Sequence, residues 1–282
     1  MDIKTVGVVG AGTMGNGIAH VFARYGFNVV LCDVERRLLD RALDVIGKNL
    51  DREVEKSRLT AQERSAALAR IEPAVERALL ARCDFIVEAA TEKIDVKAAL
   101  FHEFDEVCRP EVILASNTSS ISITKLAAMT RRPEQVIGMH FFNPVPVMKL
   151  VEVIRGLATS DATYATVKAL TEKLDKVPVA VNDSPGFISN RVLMPMINEA
   201  AFAVMEGVAT PEAVDEIFKL GMAHPMGPLR LADFIGLDVC VDILRVLEDG
   251  LGDPKYRPCP LLLRMVDAGW RGRKSGRGFY TY

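Results

Sequence analysis

Thr5-Val-Gly-Val-Val-Gly10-Ala-Gly12-Thr-Met-Gly15 decides the fold. Residues 5–10 form a short apolar run closed by glycine, the pattern of a strand buried on both faces. A helical pattern follows over 13–25, and 28–33 reads as a second strand that stops at Asp33. Between them Gly10, Ala11, Gly12, Thr13, Met14 and Gly15 fit GxGxxG. The first glycine permits a tight turn, the second lets backbone approach a pyrophosphate, and the third lets helix and strand pack closely. The phosphates would meet the positive end of the helix. Asp33 is placed to accept hydrogen bonds from ribose hydroxyls and to repel a 2′-phosphate, which favours NAD over NADP. Arg36 and Arg37, just behind it, could soften that choice but read first as a solvated helical turn.

The next clear strand, 84–88, begins about fifty residues later, more than one crossover helix needs. Leu39, Leu43, Ile46, Leu50 and Val54 recur at steps of three and four, a helical stripe through 35–56. Thr60-Ala-Gln-Glu63 then has the form of a capping box opening a second helix to about Arg70. The insertion, about 35–71, reads as a helical hairpin standing off the sheet. Further strands are expected at 112–115, 136–139, 149–153 and 177–181, with helices around 96–107 and 162–174. After the Asp183-Ser-Pro-Gly186 turn every apolar run has helical spacing: 187–206, 211–220, 229–247 and 261–268. The expected architecture is therefore α/β: a Rossmann-type, mostly parallel sheet over 1–184 with an inserted helical hairpin, then an all-helical C-terminal domain over 185–282.

A chain of 282 residues, 49% hydrophobic and 26% charged, can bury two cores. The net charge of −2 gives no reason to expect nucleic acid or an anionic membrane as partner. Five scattered cysteines without a CxxC pair read as reduced thiols, and no run approaches the ~20 apolar residues of a membrane helix. With no room for a signal peptide before the first strand, a cytoplasmic protein is expected. No metal is expected.

One further stretch carries chemistry: His140-Phe-Phe-Asn-Pro-Val-Pro-Val-Met-Lys-Leu-Val-Glu152. It sets a histidine and a glutamate on either side of an apolar, proline-broken run. An imidazole held by a carboxylate moves protons near neutrality, because its unperturbed pKa is near ~6.5. Behind a dinucleotide loop, that points to hydride transfer with coupled proton transfer. His140 falls where an expected strand runs out, the usual place for a site in an open α/β sheet. His20, His102 and His224 have no comparable partner and read as structural.

This run resembles the signature of the 3-hydroxyacyl-CoA dehydrogenase family. So do Ser116-Asn-Thr-Ser-Ser120, Asp183-Ser-Pro-Gly-Phe-Ile-Ser-Asn-Arg191, Pro225-Met-Gly-Pro228 with Asp233 and Gly236-Leu-Asp238, and Lys274-Ser-Gly-Arg-Gly-Phe-Tyr280. The resemblance covers the whole chain in order and is closest to short bacterial members that act on 3-hydroxybutyryl-CoA. It implies that His140 exchanges the substrate proton, that Glu152 orients it, and that Ser119 and Asn190 hold the reacting oxygen and the substrate. It implies that Glu92, Lys97, Asn143 and Lys274 stand near the nicotinamide half of NAD. Without the family, Lys97 would read as a solvated lysine at a helix start, and the basic stretch around Lys274 could equally be a frayed tail.

Lys48, Arg52 and Lys56 recur every four residues on the inserted hairpin, opposite its leucine stripe, and form one basic face. That face suits the phosphates of an acyl-CoA thioester, though an ordinary solvated face would look the same. The resemblance makes Lys56 a CoA contact, and Asn49 stands where relatives often have serine. The implied reaction interconverts an (S)-3-hydroxyacyl-CoA, 3-hydroxybutyryl-CoA above all, and its 3-ketoacyl-CoA. Related dehydrogenases of gulonate, a sugar acid, or of carnitine lack the full 140–152 run. A non-catalytic crystallin-like relative has no need of His140, Glu152, Ser119 and Asn190 together. The apolar first helix of the C-terminal domain points to a homodimer formed through it.

Overall fold

β1 (Thr5–Val9) is shielded on both faces beyond its first residue, because it lies inside a parallel sheet covered by helices. α1 (Thr13–Arg24) and β2 (Asn28–Cys32) follow, then the helical pair α2 (Arg36–Glu55) and α3 (Ala61–Ala69), then β3 (Ile71–Ala74). Next come β4 (Phe85–Glu88), α4 (Ile94–Val107), β5 (Ile113–Ser116), α5 (Ile123–Ala127) and β6 (Val136–Phe141). β7 (Leu150–Arg155), α6 (Asp161–Lys173) and β8 (Val177–Asn182) complete the sheet. This computed structural model describes residues 2–282. The chain divides into two compact units, one ending at Ser184 and the other beginning at Pro185.

Among the described residues the sheet has the order β3-β2-β1-β4-β5-β6-β7-β8. Neighbours are parallel except β6 and β7, whose short connection can join only antiparallel strands. The carboxyl ends of β1, β2, β4, β5 and β6 thus share one edge, and the glycine turn, Asp33, Glu88 and the 117–122 loop all leave from it. The mostly parallel α/β sheet expected from the sequence is what the chain forms.

The insertion holds more than the sequence reading allowed. Thr60 and Glu63 do form a capping box, with Thr60 N donating to Glu63 Oε2 at 2.7 Å. Leu39, Ala42, Ile46 and Leu50 of α2, however, belong to the same buried core as α1 and the sheet. The pair is thus packed down on the domain rather than standing off it, and it leads into a strand, β3, that the pattern did not reveal. β3 is an edge strand containing Pro73, and β8, the opposite edge, contains Pro178. Proline cannot donate to a ladder and is tolerated at edges, which is why such a segment reads poorly as a strand.

The second unit is helical: α7 (Ser189–Met205), α8 (Pro211–Gly221), α9 (Pro228–Ile235), α10 (Leu237–Leu251) and α11 (Pro260–Asp267). Thr210 caps α8 through its hydroxyl, with Pro211 at the first position, where no N–H is needed. The single helix expected over 229–247 is two. Gly236, at φ +107°, breaks it in a conformation that side chains other than hydrogen rarely adopt. The C-terminal tail is docked. Asp233 accepts from Phe279 N and Tyr280 N at 2.9 Å each, and the Tyr280 hydroxyl reaches Asp215 Oδ2 at 2.7 Å.

Candidate active site

The glycine turn is built by contact rather than by flexibility alone. Gly10 has φ +104°, and its N–H donates to Cys32 O at 2.8 Å, bolting the turn to the end of β2. A Cβ on Gly15 would lie 1.7 Å from Gly10 O, so only hydrogen fits between turn and helix. A Cβ on Gly12 would meet nothing within 4 Å, which leaves that face open to a ligand. No acidic side chain stands in the first turn of α1, and no side chain caps it. Asp33 accepts from Ala11 N at 2.6 Å and from Val34 N at 2.7 Å, which fixes its carboxylate against the turn.

These groups surround a cavity of about 610 Å³ whose walls include Gly12, Met14, Asp33, Ala90 and Val96. Open backbone at Gly12, an uncapped helix start and a carboxylate at the end of β2 fit a dinucleotide. Arg36 and Arg37 are exposed and engaged by Asp40 (2.8 Å) and Glu35 (3.3 Å), so neither stands as a spare cation.

The antiparallel register of β6 and β7 sets His140 directly opposite Glu152. His140 Nδ1 and Glu152 Oε2 are 2.8 Å apart, and both residues are buried. An Nδ1–H donated to the carboxylate selects the tautomer whose lone pair is on Nε2. The strand runs two residues further than its pattern indicated, to Phe141, so His140 lies within it rather than past its end. Asn117 Oδ1 accepts from Phe141 N at 2.9 Å and ties the loop after β5 to this strand.

That loop carries Ser119, and a carboxylate organises it. Glu92 Oε1 accepts from Ser119 N (3.0 Å), Ser120 N (3.2 Å) and Ser120 Oγ (3.1 Å), and also from Thr118 Oγ1. Burial pushes the Glu92 carboxyl upward. The Lys97 charge and the bonds from Thr118, Ser119 and Ser120 outweigh it and hold the group below the ordinary carboxylate range.

Lys97 is not a solvated lysine. It is 1% exposed, and its Nζ sits 2.7 and 2.8 Å from the two oxygens of the buried Glu88 and 3.3 Å from Glu92. Glu88 also accepts from Ser116 Oγ at 2.6 Å and Ala90 N at 2.6 Å. Sequence reasoning missed Glu88, Ser116 and Thr118. The one available signal was that Glu88, like Asp33, is an acid ending an apolar strand. Lys97→Met should leave the Glu88 carboxylate buried without its counter-charge and cost about 3–5 kcal/mol in chemical denaturation. A loss of ~1 kcal/mol or less, as for an exposed pair, would show that the ion pair does not hold this edge together.

Asn143 and Asn49 come together. Both line a smaller cavity of about 350 Å³ beside Gly12, Asn16 and Arg41. Lys48, Arg52 and Lys56 are not among its walls. Lys48 pairs with Asp44 at 2.7 Å, Arg52 donates to Asn49 Oδ1 at 3.2 Å, and Lys56 caps the end of α2. In the helical unit, Asn190 is half-buried in the first turn of α7, and Lys274 Nζ is 2.6 Å from Asp238 Oδ1. Of the other histidines, His20 is buried 3.2 Å from Glu53, His102 is exposed, and the His224 ring stacks edge-on to Phe218. Among the described residues no three His, Cys, Asp or Glu side chains group as metal ligands, and no helix is long and apolar enough to cross a membrane.

A dinucleotide turn and a histidine–carboxylate pair on one sheet edge define the class, an NAD-dependent oxidoreductase. The chain belongs to the 3-hydroxyacyl-CoA dehydrogenase family: residues 5–184 match its NAD binding domain and residues 186–282 its C-terminal domain. It is 56% identical to a probable 3-hydroxybutyryl-CoA dehydrogenase of Bacillus subtilis, over 100% of this chain and 98% of that protein. It is also 56% identical to a 3-hydroxybutyryl-CoA dehydrogenase of Bradyrhizobium diazoefficiens, over 99% of this chain and 96% of that one. The crystal structure of (S)-3-hydroxybutyryl-CoA dehydrogenase from Ralstonia eutropha matches with a TM-score of 0.97 at 52% identity, covering 100% and 99% of the two chains.

Proposed function

We propose that this protein interconverts (S)-3-hydroxybutyryl-CoA and acetoacetyl-CoA, with NAD as hydride acceptor in the oxidative direction. NAD, when bound, supplies the redox chemistry. The chain supplies the rest. His140 takes the hydroxyl proton at Nε2 as the C3 hydrogen leaves, and Glu152 orients the ring and supports the positive charge it gains. Ser119 and Asn190 hold the substrate oxygen during the transfer. Glu92, Lys97, Asn143 and Lys274 shape the nicotinamide side, and Asp33 meets the adenosine ribose. The observation that carries the reading is the His140–Glu152 pair, 2.8 Å apart on the sheet edge that bears the glycine turn.

The test is a turnover assay with acetoacetyl-CoA and NADH, read as loss of NADH absorbance. The reading fails if NADH is not consumed. Oxidation of gulonate or carnitine in its place would move the protein to a sister activity.

For the CoA moiety, Lys48, Arg52, Lys56 and Asn49 lie along one flank of α2. Changing Lys48, Arg52 and Lys56 together to alanine should raise KM for acetoacetyl-CoA about tenfold, the equivalent of ~1.4 kcal/mol of binding. A small thioester analogue should be unaffected. Equal effects on both would move the CoA contacts elsewhere.

The domain roles follow: residues 1–184 bind NAD and the helical part, 185–282, completes the substrate site and forms a homodimer. Exposed Ile188 and Val192 on and beside α7 support that interface. Five free, buried cysteines suit a reducing cytoplasm. Sedimentation of the purified protein reads the dimer directly.

A further inference from the structure

The 140–152 run contains a device that the proposed chemistry does not use. Between β6 and β7 the chain turns tightly: Val147 N and Met148 N both donate to Pro144 O, at 2.9 and 3.0 Å. The Val145 and Met148 carbonyls find their donor in the residue just before β8. There the Lys176 ammonium meets both, donating to Val145 O and to Met148 O at 2.7 Å each. Lys176 is 6% exposed and Val145 is 2% exposed, so this is an interior contact. The loop also presses on α1, where a Cβ added to Gly17 would lie 2.8 Å from Val145 Cβ. The loop is gripped between the helix of the glycine turn and a buried cation.

We propose that Lys176 is a positioning residue for the reaction: its ammonium fixes the 143–148 loop so that Asn143 faces the cavity beside Gly12, with His140 and Glu152 held in register at the loop's two ends. This rests on the proposed dehydrogenase activity.

Three features favour positioning over simple filling. A lysine has three donors and no acceptor, so one ammonium can satisfy two carbonyls that neither proline of the loop could serve. The location is unfavourable for a charge, because burial, with Lys149 and Arg24 nearby, brings the Lys176 pKa down to about 8. Asp175 offsets this only in part, being engaged by Lys149 and by the Tyr25 hydroxyl. Finally, gripped Val145 stands two residues from Asn143 and lines the same cavity as Asn143, Asn16 and Asn49.

The test compares Lys176→Met and Lys176→Arg with the wild type. A loop displaced by about an ångström costs ~10²-fold in rate when the displaced group orients reactants. Lys176→Met should therefore lose about 10²-fold in kcat with acetoacetyl-CoA and NADH. Its NADH affinity should fall much less than kcat, because the glycine turn that meets the pyrophosphate is kept even where Asn143 shifts at the nicotinamide end. Lys176→Arg, which keeps charge and donors, should recover most of the loss. A Met variant with wild-type kcat, or one whose loss matches its unfolded fraction, overturns the proposal.

Amide hydrogen exchange at Val147 and Met148 reads the loop without any turnover. It should accelerate in the Met variant and not in the Arg variant, and unchanged exchange also overturns the proposal. Failure of the activity itself would appear instead as an inactive wild type. Should the Met variant not fold, Lys176→Gln keeps two N–H donors without the charge. A kcat loss at unchanged melting temperature then supports the proposal, and parallel losses overturn it.

Discussion

His140→Gln should lower kcat by about 10²–10⁴-fold, the usual worth of a positioned general acid–base group, and leave NADH binding nearly unchanged. The side chain is buried and paired with a carboxylate 2.8 Å away. The dinucleotide face, open at Gly12 and bounded by Asp33 bonded to Ala11 N, is built from other residues. Binding and proton transfer are therefore separable. Glutamine can still hydrogen-bond to Glu152 but cannot take a proton. Glu152→Gln is the gentler partner experiment. It keeps an acceptor for Nδ1–H and removes the charge that supports imidazolium, so a loss of about 10–100-fold is expected, as for other orienting partners of histidine. If His140→Gln retained a tenth or more of wild-type kcat, the proton would have to move through another group. An unchanged kcat in Glu152→Gln would leave Glu152 as packing.

Gly15→Ala should abolish measurable NADH binding and lower the melting temperature, whereas Gly12→Ala should abolish binding alone. The contrast comes from where each new methyl would go. At Gly15 it would lie 1.7 Å from Gly10 O, a backbone atom that cannot swing away. Either α1 or the turn has to move, and overpacking of this kind costs ~1–3 kcal/mol. At Gly12 the methyl would enter open space, and that space is where a pyrophosphate would approach. Fluorescence titration with NADH and thermal melts on both variants separate the two effects. Tight NADH binding by Gly12→Ala would remove the pyrophosphate from this turn.

The amino-terminal strand, turn, helix and second strand were legible because burial on both faces leaves an unbroken apolar run and the turn admits only glycine at Gly10 and Gly15. His140 and Glu152 were legible as a histidine held by a carboxylate, but the geometry of their contact was not. It depends on β6 and β7 pairing antiparallel in one register, and the intervening loop gives no count of how many residues it consumes. β3 was hidden by its own proline. Lys97 looked solvated because the carboxylate that buries it, Glu88, belongs to the preceding strand and not to its own helix. Lys48, Arg52 and Lys56 fall in one row by spacing, yet the polar residues that α2 gives to the nearby cavity are Arg41 and Asn49, and packing rather than spacing decides that. The break at Gly236 was invisible because α9 and α10 both carry apolar stripes.

Pro73 and Pro178 sit on the two outermost strands, so the sheet is closed to growth at both ends. A strand from another molecule, native or misfolded, finds a missing donor on either border, which disfavours templated aggregation. Any self-association of this chain would therefore run through side chains rather than by extension of the backbone ladder. Replacing both prolines by valine should leave turnover intact while making the protein more prone to precipitate on mild heating.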